Sequence, residues 1–443
     1  MNKFTFDEMI NHFITSGFTY KSSEIYGGLQ NAWDYGPLGV LLKNNLANLW
    51  YKKFVQESAT NVLIDSTIIM AKKVWEATGH VTTFNDPLVD CRNCKSRFRA
   101  DHLISISDPN LDTSKLSFEA MDEYLKEHHV KCPVCGKTDF TPIRRFNMMF
   151  KTNLGPLESN DNLVYLRPET AQGMFTNFKN VVRTTRKKLP LGICNIGKSF
   201  RNEITPNNYL FRVREFTQME MEFFTKPGED LKWFAYWKDF MMNFLKLSGI
   251  KETNLRIRDH SKEELSFYSV ATSDIEYLFP FGWGELWGIA DRTDYDLKKH
   301  MEYSKENLEY LDPDTKEKYV PYCIEPALGL DRYFLAVLCD AYDVETLEND
   351  SRVVLRLLPQ LAPYQIAILP LQKQLNEKAS EVFMMLSKYF AVTMDVTASI
   401  GKRYRRQDAI GTPYCLTVDF ETLDDMSVTI RDRDSMKQIR LSI

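Results

Sequence analysis

Two groups of residues in this 443-residue chain have the types and spacing to do chemistry. The first is a pair of Cys-x-x-Cys knuckles, Cys91–Cys94 and Cys132–Cys135, each able to place two thiolates on one tetrahedral ion. Gly136 follows the second knuckle, where a tight turn is needed. Residues 95–131 separate the knuckles, a longer gap than in common zinc patterns. The pattern reads as a structural zinc site, the plain alternative being two unrelated pairs of reduced thiols. A closed four-sulfur site leaves no open position, so it would not catalyse. Cys194, Cys323, Cys339 and Cys415 are isolated and take no role.

The second group is ionic. Ser199-Phe200-Arg201-Asn202-Glu203 is followed by a loop over 204–210 and then by Phe211-Arg212-Val213-Arg214-Glu215-Phe216. Two strands joined by a short loop would set Arg201 near Arg212, and planar guanidinium forks suit phosphate and carboxylate oxygens. Phe216 could stack a base, and Glu203 could accept from an exocyclic amine. Read alone, the pattern also fits a solvated hairpin with surface ion pairs. The preceding Gly192-Ile193-Cys194-Asn195-Ile196-Gly197-Lys198-Ser199 satisfies the P-loop pattern letter for letter. Lys187-Lys188-Leu189-Pro190 before it is no buried strand, and Pro206 forbids a long helix after it. Residues 193–204 are therefore expected to form one strand.

With the neighbouring segments, the chain resembles class II aminoacyl-tRNA synthetases, and among them the homodimeric glycyl-tRNA synthetases. Tyr35-Gly36-Pro37-Leu38-Gly39 resembles the dimer-interface motif of that family, and Arg167-Pro168-Glu169-Thr170-Ala171-Gln172-Gly173 a stretch specific to it. The arginine hairpin resembles the second class motif, and Glu325-Pro326-Ala327-Leu328-Gly329-Leu330-Asp331-Arg332 the third. The segment Gly401-Lys402-Arg403-Tyr404-Arg405-Arg406-Gln407-Asp408 resembles the anticodon-binding domain of several such enzymes.

The resemblance implies a site residue by residue. Arg201, Arg212 and Arg332 would be catalytic: Arg201 on the α-phosphate and glycine carboxylate, Arg212 and Arg332 at the γ-phosphate end. Arg332 and Phe216 would sandwich the adenine, and Glu203 would read its amine. The ATP site would comprise Arg201-Asn202-Glu203, Phe211-Arg212-Val213-Arg214-Glu215-Phe216, Glu285-Leu286 and Gly329-Leu330-Asp331-Arg332, with Glu285 a magnesium contact. Glycine would meet Arg99, Glu169, Phe216-Thr217-Gln218-Met219-Glu220, Arg292 and Glu325-Pro326-Ala327-Leu328-Gly329. Glu169, Glu220 and Glu325 would face the substrate ammonium. The family's common third motif has Ser where this chain has Ala327, which removes a hydroxyl near the substrate. Lys402, Arg403, Tyr404, Arg405 and Arg406 would contact tRNA by charge and stacking.

In-line attack of a carboxylate on an α-phosphate brings two anions together, so this chemistry needs positioning and positive charge more than an acid or base. The seven His residues accordingly take no catalytic role, and His80, His102 and His260 read as structural. The implied reaction is glycine plus ATP to enzyme-bound glycyl-adenylate and pyrophosphate, then transfer to the 3′-hydroxyl of glycine tRNA. Glycine is the smallest amino acid and all competitors clash, so no editing domain is expected. The rivals are a non-catalytic relative, which should have lost motif residues, and a threonine or proline enzyme, which lacks the 167–173 stretch.

An α+β fold must hold these groups: an antiparallel catalytic sheet flanked by helices, a zinc-ribbon-like insertion, and a C-terminal α/β anticodon-binding domain. The core occupies 1–90 and 145–350, the insertion 91–144 with a helix near 117–129, and the anticodon-binding domain 355–443. Apolar spacing predicts helices over 38–54, 228–248 and 375–390, a strand over 61–70, and strands over 255–291 broken at Gly282 and Gly284. Residues 352–363 read as a connector. Thr5 and Glu8 form a capping box opening the first helix. The 44% apolar and 26% charged residues are those of an ordinary globular chain. With Lys+Arg 56 against Asp+Glu 60, the net charge of −4 gives no global field for nucleic acid, so any such surface is a local patch. No apolar run spans a membrane and no signal-peptide stretch opens the chain. A cytoplasmic homodimer is expected.

Overall fold

The computed structural model describes residues 4–443 except 109–110, 112, 114–115, 263, 266–268 and 348–349. Its centre is a seven-stranded sheet built from β1 (Val62–Ile64), β2 (Leu191–Phe200), β3 (Glu215–Thr225), β4 (Leu255–Asp259), β5 (Ala271–Phe279), β6 (Gly282–Thr293) and β7 (Tyr322–Gly329). The order across the sheet is β4-β5-β6-β7-β3-β2-β1, antiparallel throughout except for β1 beside β2.

Strand alternation divides this sheet into an apolar face and a charged one. Met219, Met221 and Phe223 of β3, Trp287 and Ile289 of β6, and Ile324 and Leu328 of β7 join one large core. That core is closed by the helices Pro37–Tyr51, Asp230–Leu247 and Leu330–Ala341, through side chains such as Leu42, Trp50, Trp237, Phe244, Tyr333 and Phe334. The intervening positions, Glu220, Glu222, Arg292 and Glu325, point to the other face. There the helix Ala171–Thr185 covers one end with Met174, Phe175 and Phe178, leaving the other end open as a cleft.

The stretch 61–70 is two strands, not one. Val62–Ile64 edges the central sheet, while Ile69–Ala71 pairs with Leu163–Leu166 in a separate three-stranded sheet. Between them Ser66 turns inward, where its carbonyl and hydroxyl take Arg167 Nη1 at 2.8 and 2.9 Å. The P-loop-like segment is strand β2, as its flanks required. Gly197 is there for space, because a Cβ would fall 2.1 Å from Arg167 Nη2. The strand stops at Phe200 rather than 204, and Asn202 N–H leaves the sheet to donate to Met148 O at 2.8 Å. Gly282 does open β6, at φ +115°, but Gly284 lies inside that strand, seated against Phe211. The connector expected from 352 begins later, since Ser351–Leu355 forms a strand with Tyr342–Thr346.

Segment 91–144 and the strand before it have their own small core. Asn85–Asp90 lies between Arg97–Arg99 and Arg144–Asn147, and the helices Ala100–Ser107 and Phe118–Glu127 close over it through Leu103, Ile104, Met121 and Leu125. The C-terminal part is a five-stranded mixed sheet with helices Asn376–Leu386 and Ile400–Ile410. A buried ion cluster ties it to the core strand Ser351–Leu355: Arg352 Nη1 and Arg431 Nη1 each donate to Asp408 at 2.8 Å.

Candidate active site

The cleft on the charged face encloses a cavity of about 340 Å³. Its inner end is lined by Glu169, Glu220, Glu325 and Arg292, its middle by Arg201, Glu203, Arg212 and Phe216, and its mouth by Phe211, Glu285, Arg332, Asp274 and His260. Register explains the inner end. Glu220 on β3 stands opposite Ala327 of β7, and Glu325 stands opposite Ala290 of β6, so both carboxylates lie over neighbouring strands. Glu169 comes from the loop before the helix Ala171–Thr185.

Arg292 is the hub. Its Nε and Nη2 each donate to Asp296 at 2.8 Å, and its Nη1 donates to Glu325 Oε2 at 2.9 Å. Gln172 Nε2 donates both to Asp296 and to Glu169 Oε1, at 2.9 Å each. Glu220 accepts from Thr170 N–H at 3.0 Å and from Gln218 Nε2 at 2.8 Å. Burial pushes the Glu325 carboxyl up to about 8 against the pull of Arg292, and raises Glu220, which Glu169 raises further. Burial also opposes the charge on Glu169, but His80 Nε2 at 3.3 Å, Arg292 and Gln172 outweigh it and hold that carboxyl well below its usual range. Behind them Glu222 is fully buried, accepts from Cys323 Sγ at 2.9 Å, and is raised well above its usual range by burial and by Glu325.

Arg201 donates from Nε to Pro168 O at 3.1 Å and lies over the Phe216 ring at 5.3 Å. Arg332 donates to Phe211 O at 3.1 Å and to Glu285 at 2.9 and 3.0 Å, and stacks on Phe211 at 4.3 Å. Arg212 Nη1 approaches His102 Nε2 at 3.0 Å. Among the described residues Glu203 Oε2 is buried without a hydrogen-bond partner, an acceptor in waiting. At the mouth, a Cβ on Gly288 would meet Glu285 Oε1 at 3.6 Å and Asp274 Oδ1 at 3.7 Å, so two carboxylates flank one position.

Thus Arg201, Glu203, Phe211, Arg212, Val213, Phe216, Gln218, Glu220, Glu285, Leu286, Arg292, Glu325, Ala327, Gly329, Asp331, Arg332 and Glu169 converge on one cleft. Other parts of the motif runs lie elsewhere. Alternation turns Met219 and Leu328 into the aromatic core, which Leu330 joins, and Pro326 is buried in β7. Arg214 donates to Glu203 O and Gln30 O, and Glu215 pairs with Lys198. Asn202 is held through its backbone. Asp331 accepts from Thr217 N–H at 2.6 Å, from Tyr35 and from Lys43, so it ties three segments together. Arg99 is not in the cleft: it clamps Asp101 at 3.1 and 2.7 Å and Asp86 at 2.9 Å.

The basic run on the helix Ile400–Ile410 is not an open patch. Arg403 is buried and donates to the carbonyls of Pro370, Ala398 and Asp395, because at its helix position it faces the strand end. Tyr404 bonds Thr417 Oγ1, Arg405 pairs with Asp350, and Arg406 forks onto Asp395. Lys402 is exposed.

Sequence reasoning missed His80, His102 and His260 as neighbours of the site, and with them Asp274, Asp296 and Glu222. Only Glu222 carried a signal, its two-residue spacing from Glu220. The four sulfurs of Cys91, Cys94, Cys132 and Cys135 all lie within 4.8 Å of one another, with Cys91–Cys135 at 3.6 Å and Cys94–Cys132 at 3.7 Å, as one metal ion requires.

Fold and site together define a class II aminoacyl-tRNA synthetase: residues 146–342 match the family model of the tRNA synthetase class II core domain (G, H, P, S and T), and residues 365–443 match that of the anticodon binding domain. A structure of the RNA binding domain of threonyl-tRNA synthetase from Cryptosporidium parvum Iowa II shares the fold, with a TM-score of 0.66 at 17% identity over 98% of this chain and 95% of that one. Glycine--tRNA ligases from Bacillus anthracis, Clostridium acetobutylicum and Caldanaerobacter subterraneus are 59%, 60% and 60% identical, over 99%, 99% and 100% of this chain and 97%, 96% and 96% of theirs. The chain belongs to the glycine--tRNA ligase family. Among its described residues no helix is long and apolar enough to cross a membrane.

Proposed function

We propose that this protein activates glycine with ATP to glycyl-adenylate and transfers the glycyl group to the 3′ end of glycine tRNA. The observation that carries this reading is the set of Glu169, Glu220 and Glu325 at the closed end of the cleft, with Arg201 at its middle. An α-ammonium held by the acids leaves the substrate carboxylate facing Arg201. That guanidinium spans carboxylate and α-phosphate, and suppresses their repulsion as the carboxylate oxygen attacks phosphorus and pyrophosphate leaves. Arg212 and Arg332 hold the outer phosphates, and Glu203, with its free buried oxygen, takes the adenine amine. When bound, magnesium would supply charge to neutralise the phosphates, and Glu285 and Asp274, which flank Gly288, are the carboxylates that would hold it.

Ile25, Tyr26 and Leu29 are almost bare apolar side chains next to Tyr35-Gly36-Pro37-Leu38-Gly39, which supports a homodimer through that face. We read residues 1–90 and 145–350 as the catalytic core, 91–144 as an insertion on zinc, and 355–443 as the anticodon-binding domain, with Lys402 and Arg406 the exposed cations of its basic run. We place the protein in the cytoplasm, where its eight cysteines would stay reduced.

Amino-acid-dependent ATP–pyrophosphate exchange across the twenty amino acids, without tRNA, tests the activity. Exchange with glycine alone is expected. Exchange with another amino acid overturns the pocket reading, and none from folded dimer with magnesium overturns the activity.

Glycine affinity should depend on pH through Glu325. Its carboxyl, raised to about 8, holds a proton at neutral pH that a bound ammonium would expel. Affinity therefore rises with pH, by at most about tenfold per unit, and levels off above about 8. Calorimetry in buffers of different ionisation enthalpy should show proton release at neutral pH. Affinity flat from pH 6.5 to about 8 would contradict this assignment.

Metal analysis should find zinc bound to the reduced protein. Stripping it with a strong chelator should loosen segment 91–144, detected as faster proteolysis there and a lower melting temperature, because structural-site binding energy is folding energy. Protein free of metal, with both readouts unchanged by chelator, would rule the site out.

A further inference from the structure

The segment carrying the cysteine knuckles reaches the cleft at one point. His102, in the first turn of the helix Ala100–Ser107, lies with Nε2 3.0 Å and Nδ1 3.4 Å from Arg212 Nη1. A guanidinium only donates, so the ring nitrogen it approaches carries no proton and the imidazole is neutral. The backbone that carries the ring is held in place. Asp101 Oδ1 accepts from the His102 N–H at 3.0 Å, Arg99 forks onto Asp101, and the same guanidinium reaches Asp86 Oδ2 at 2.9 Å on the strand Asn85–Asp90. Burial, with Arg99 and Arg212 beside it and only Asp101 opposing, pushes the imidazole down to about 4, so it stays neutral at physiological pH.

The backbone of Arg212 is anchored separately: its carbonyl accepts from Asn207 N–H at 3.1 Å and from Asn31 Nδ2 at 2.9 Å. Among the described residues its guanidinium forms no ion pair, and its hydrogen bonds go to His102. That choice of partner has a chemical consequence. A carboxylate would neutralise the arginine and compete with an incoming phosphate. A neutral acceptor fixes the direction of the side chain and leaves its full charge and its other N–H groups for the anion.

We propose that His102 is a positioning residue for Arg212, a neutral hydrogen-bond acceptor that pre-orients this arginine for the triphosphate, so that segment 91–144 takes part in nucleotide capture. The inference rests on reading Arg212 as a phosphate ligand. Arg99, which the resemblance sends to the substrate, instead acts as the strut of this arrangement.

The test measures Mg-ATP affinity by calorimetry, and KM for ATP and for glycine in the exchange assay. His102→Leu, which removes the acceptor, is expected to weaken ATP by about tenfold, the usual scale for one hydrogen bond to a charged group. KM for glycine, zinc content and melting temperature should stay at parental values. His102→Gln, which restores a neutral acceptor, should recover most of the loss. In an Arg212→Ala background, His102→Leu should add nothing. Three results overturn the proposal: parental ATP affinity in folded His102→Leu, equal loss in the Leu and Gln variants, or an undiminished effect of His102→Leu without Arg212. If the Leu variant does not fold, His102→Ala, which carries no acceptor, replaces it with the same expectations. Unchanged ATP affinity in Arg212→Ala alone would instead remove the phosphate reading on which the inference stands.

Discussion

Arg201→Ala is expected to lower the maximal rate of glycine-dependent ATP–pyrophosphate exchange about a hundred- to a thousandfold, the scale for losing one preorganised charge partner of a transition state. The side chain is placed by one bond from its Nε to Pro168 O and by the rings of Phe216 and Phe84. Among the described residues it makes no ion pair, so its removal strands no buried carboxylate and the melting temperature should move little. That combination separates a catalytic loss from an unfolded enzyme. Arg201→Lys should recover only a small part of the rate, because an ammonium cannot fork across a carboxylate and a phosphate as a planar guanidinium does. Glycine affinity should change less than the rate, since Arg292 and the acids remain. A rate within about tenfold of the parent in folded Arg201→Ala would remove Arg201 from the centre of the reaction.

What could be read from the chain beforehand was whatever local spacing controls. The helices Pro37–Tyr51, Asp230–Leu247 and Asn376–Leu386 follow from apolar periodicity, and the capping box at Thr5 and Glu8 is formed. Arg201 and Arg212 line one cleft because β2 and β3 are hairpin neighbours. The errors arise where facing decides. Treating 216–220 and 325–329 as continuous ligand runs ignored the two-residue period that sends Met219 and Leu328 to the opposite face. Treating 402–406 as a patch ignored the helical period that turns Arg403 inward, onto strand-end carbonyls. His80 and His102 were invisible for a different reason. Each enters the site through the pairing of Asn85–Asp90 with Arg144–Asn147, which docks a whole segment beside the cleft. No spacing along the chain encodes that docking.

Arg292→Leu is the substitution expected to cost most in stability. Arg292 and Asp296 are almost fully buried and Glu325 nearly so, and their bonds are 2.8–2.9 Å. Leucine fills much of the volume, but it leaves two buried carboxyl groups without their cation, a loss of about 3–5 kcal/mol for a broken buried pair. The deficit should depend on pH, with a determinable sign. Without the guanidinium, the folded-state pKa of Glu325, already about 8, can only rise, and the folded protein then holds a proton that the unfolded chain releases above its ordinary value of 4.5. Parent and variant therefore both lose stability as pH rises from 4.5 towards 8, and the gap between them stays level there; it widens only above about 8, where the parent's Glu325 ionises beside Arg292 and the variant's does not. Pairing the change with Glu325→Gln should remove the widening above about pH 8, because no carboxyl is left there to ionise, but should not restore glycine binding, which needs the ionised acid. Denaturant melts of the parent, the single variant and the double variant at about pH 7 and about pH 9.5 decide the matter. A gap of equal size at both would mean that the cost is one of packing and that Arg292 does not hold its neighbours charged.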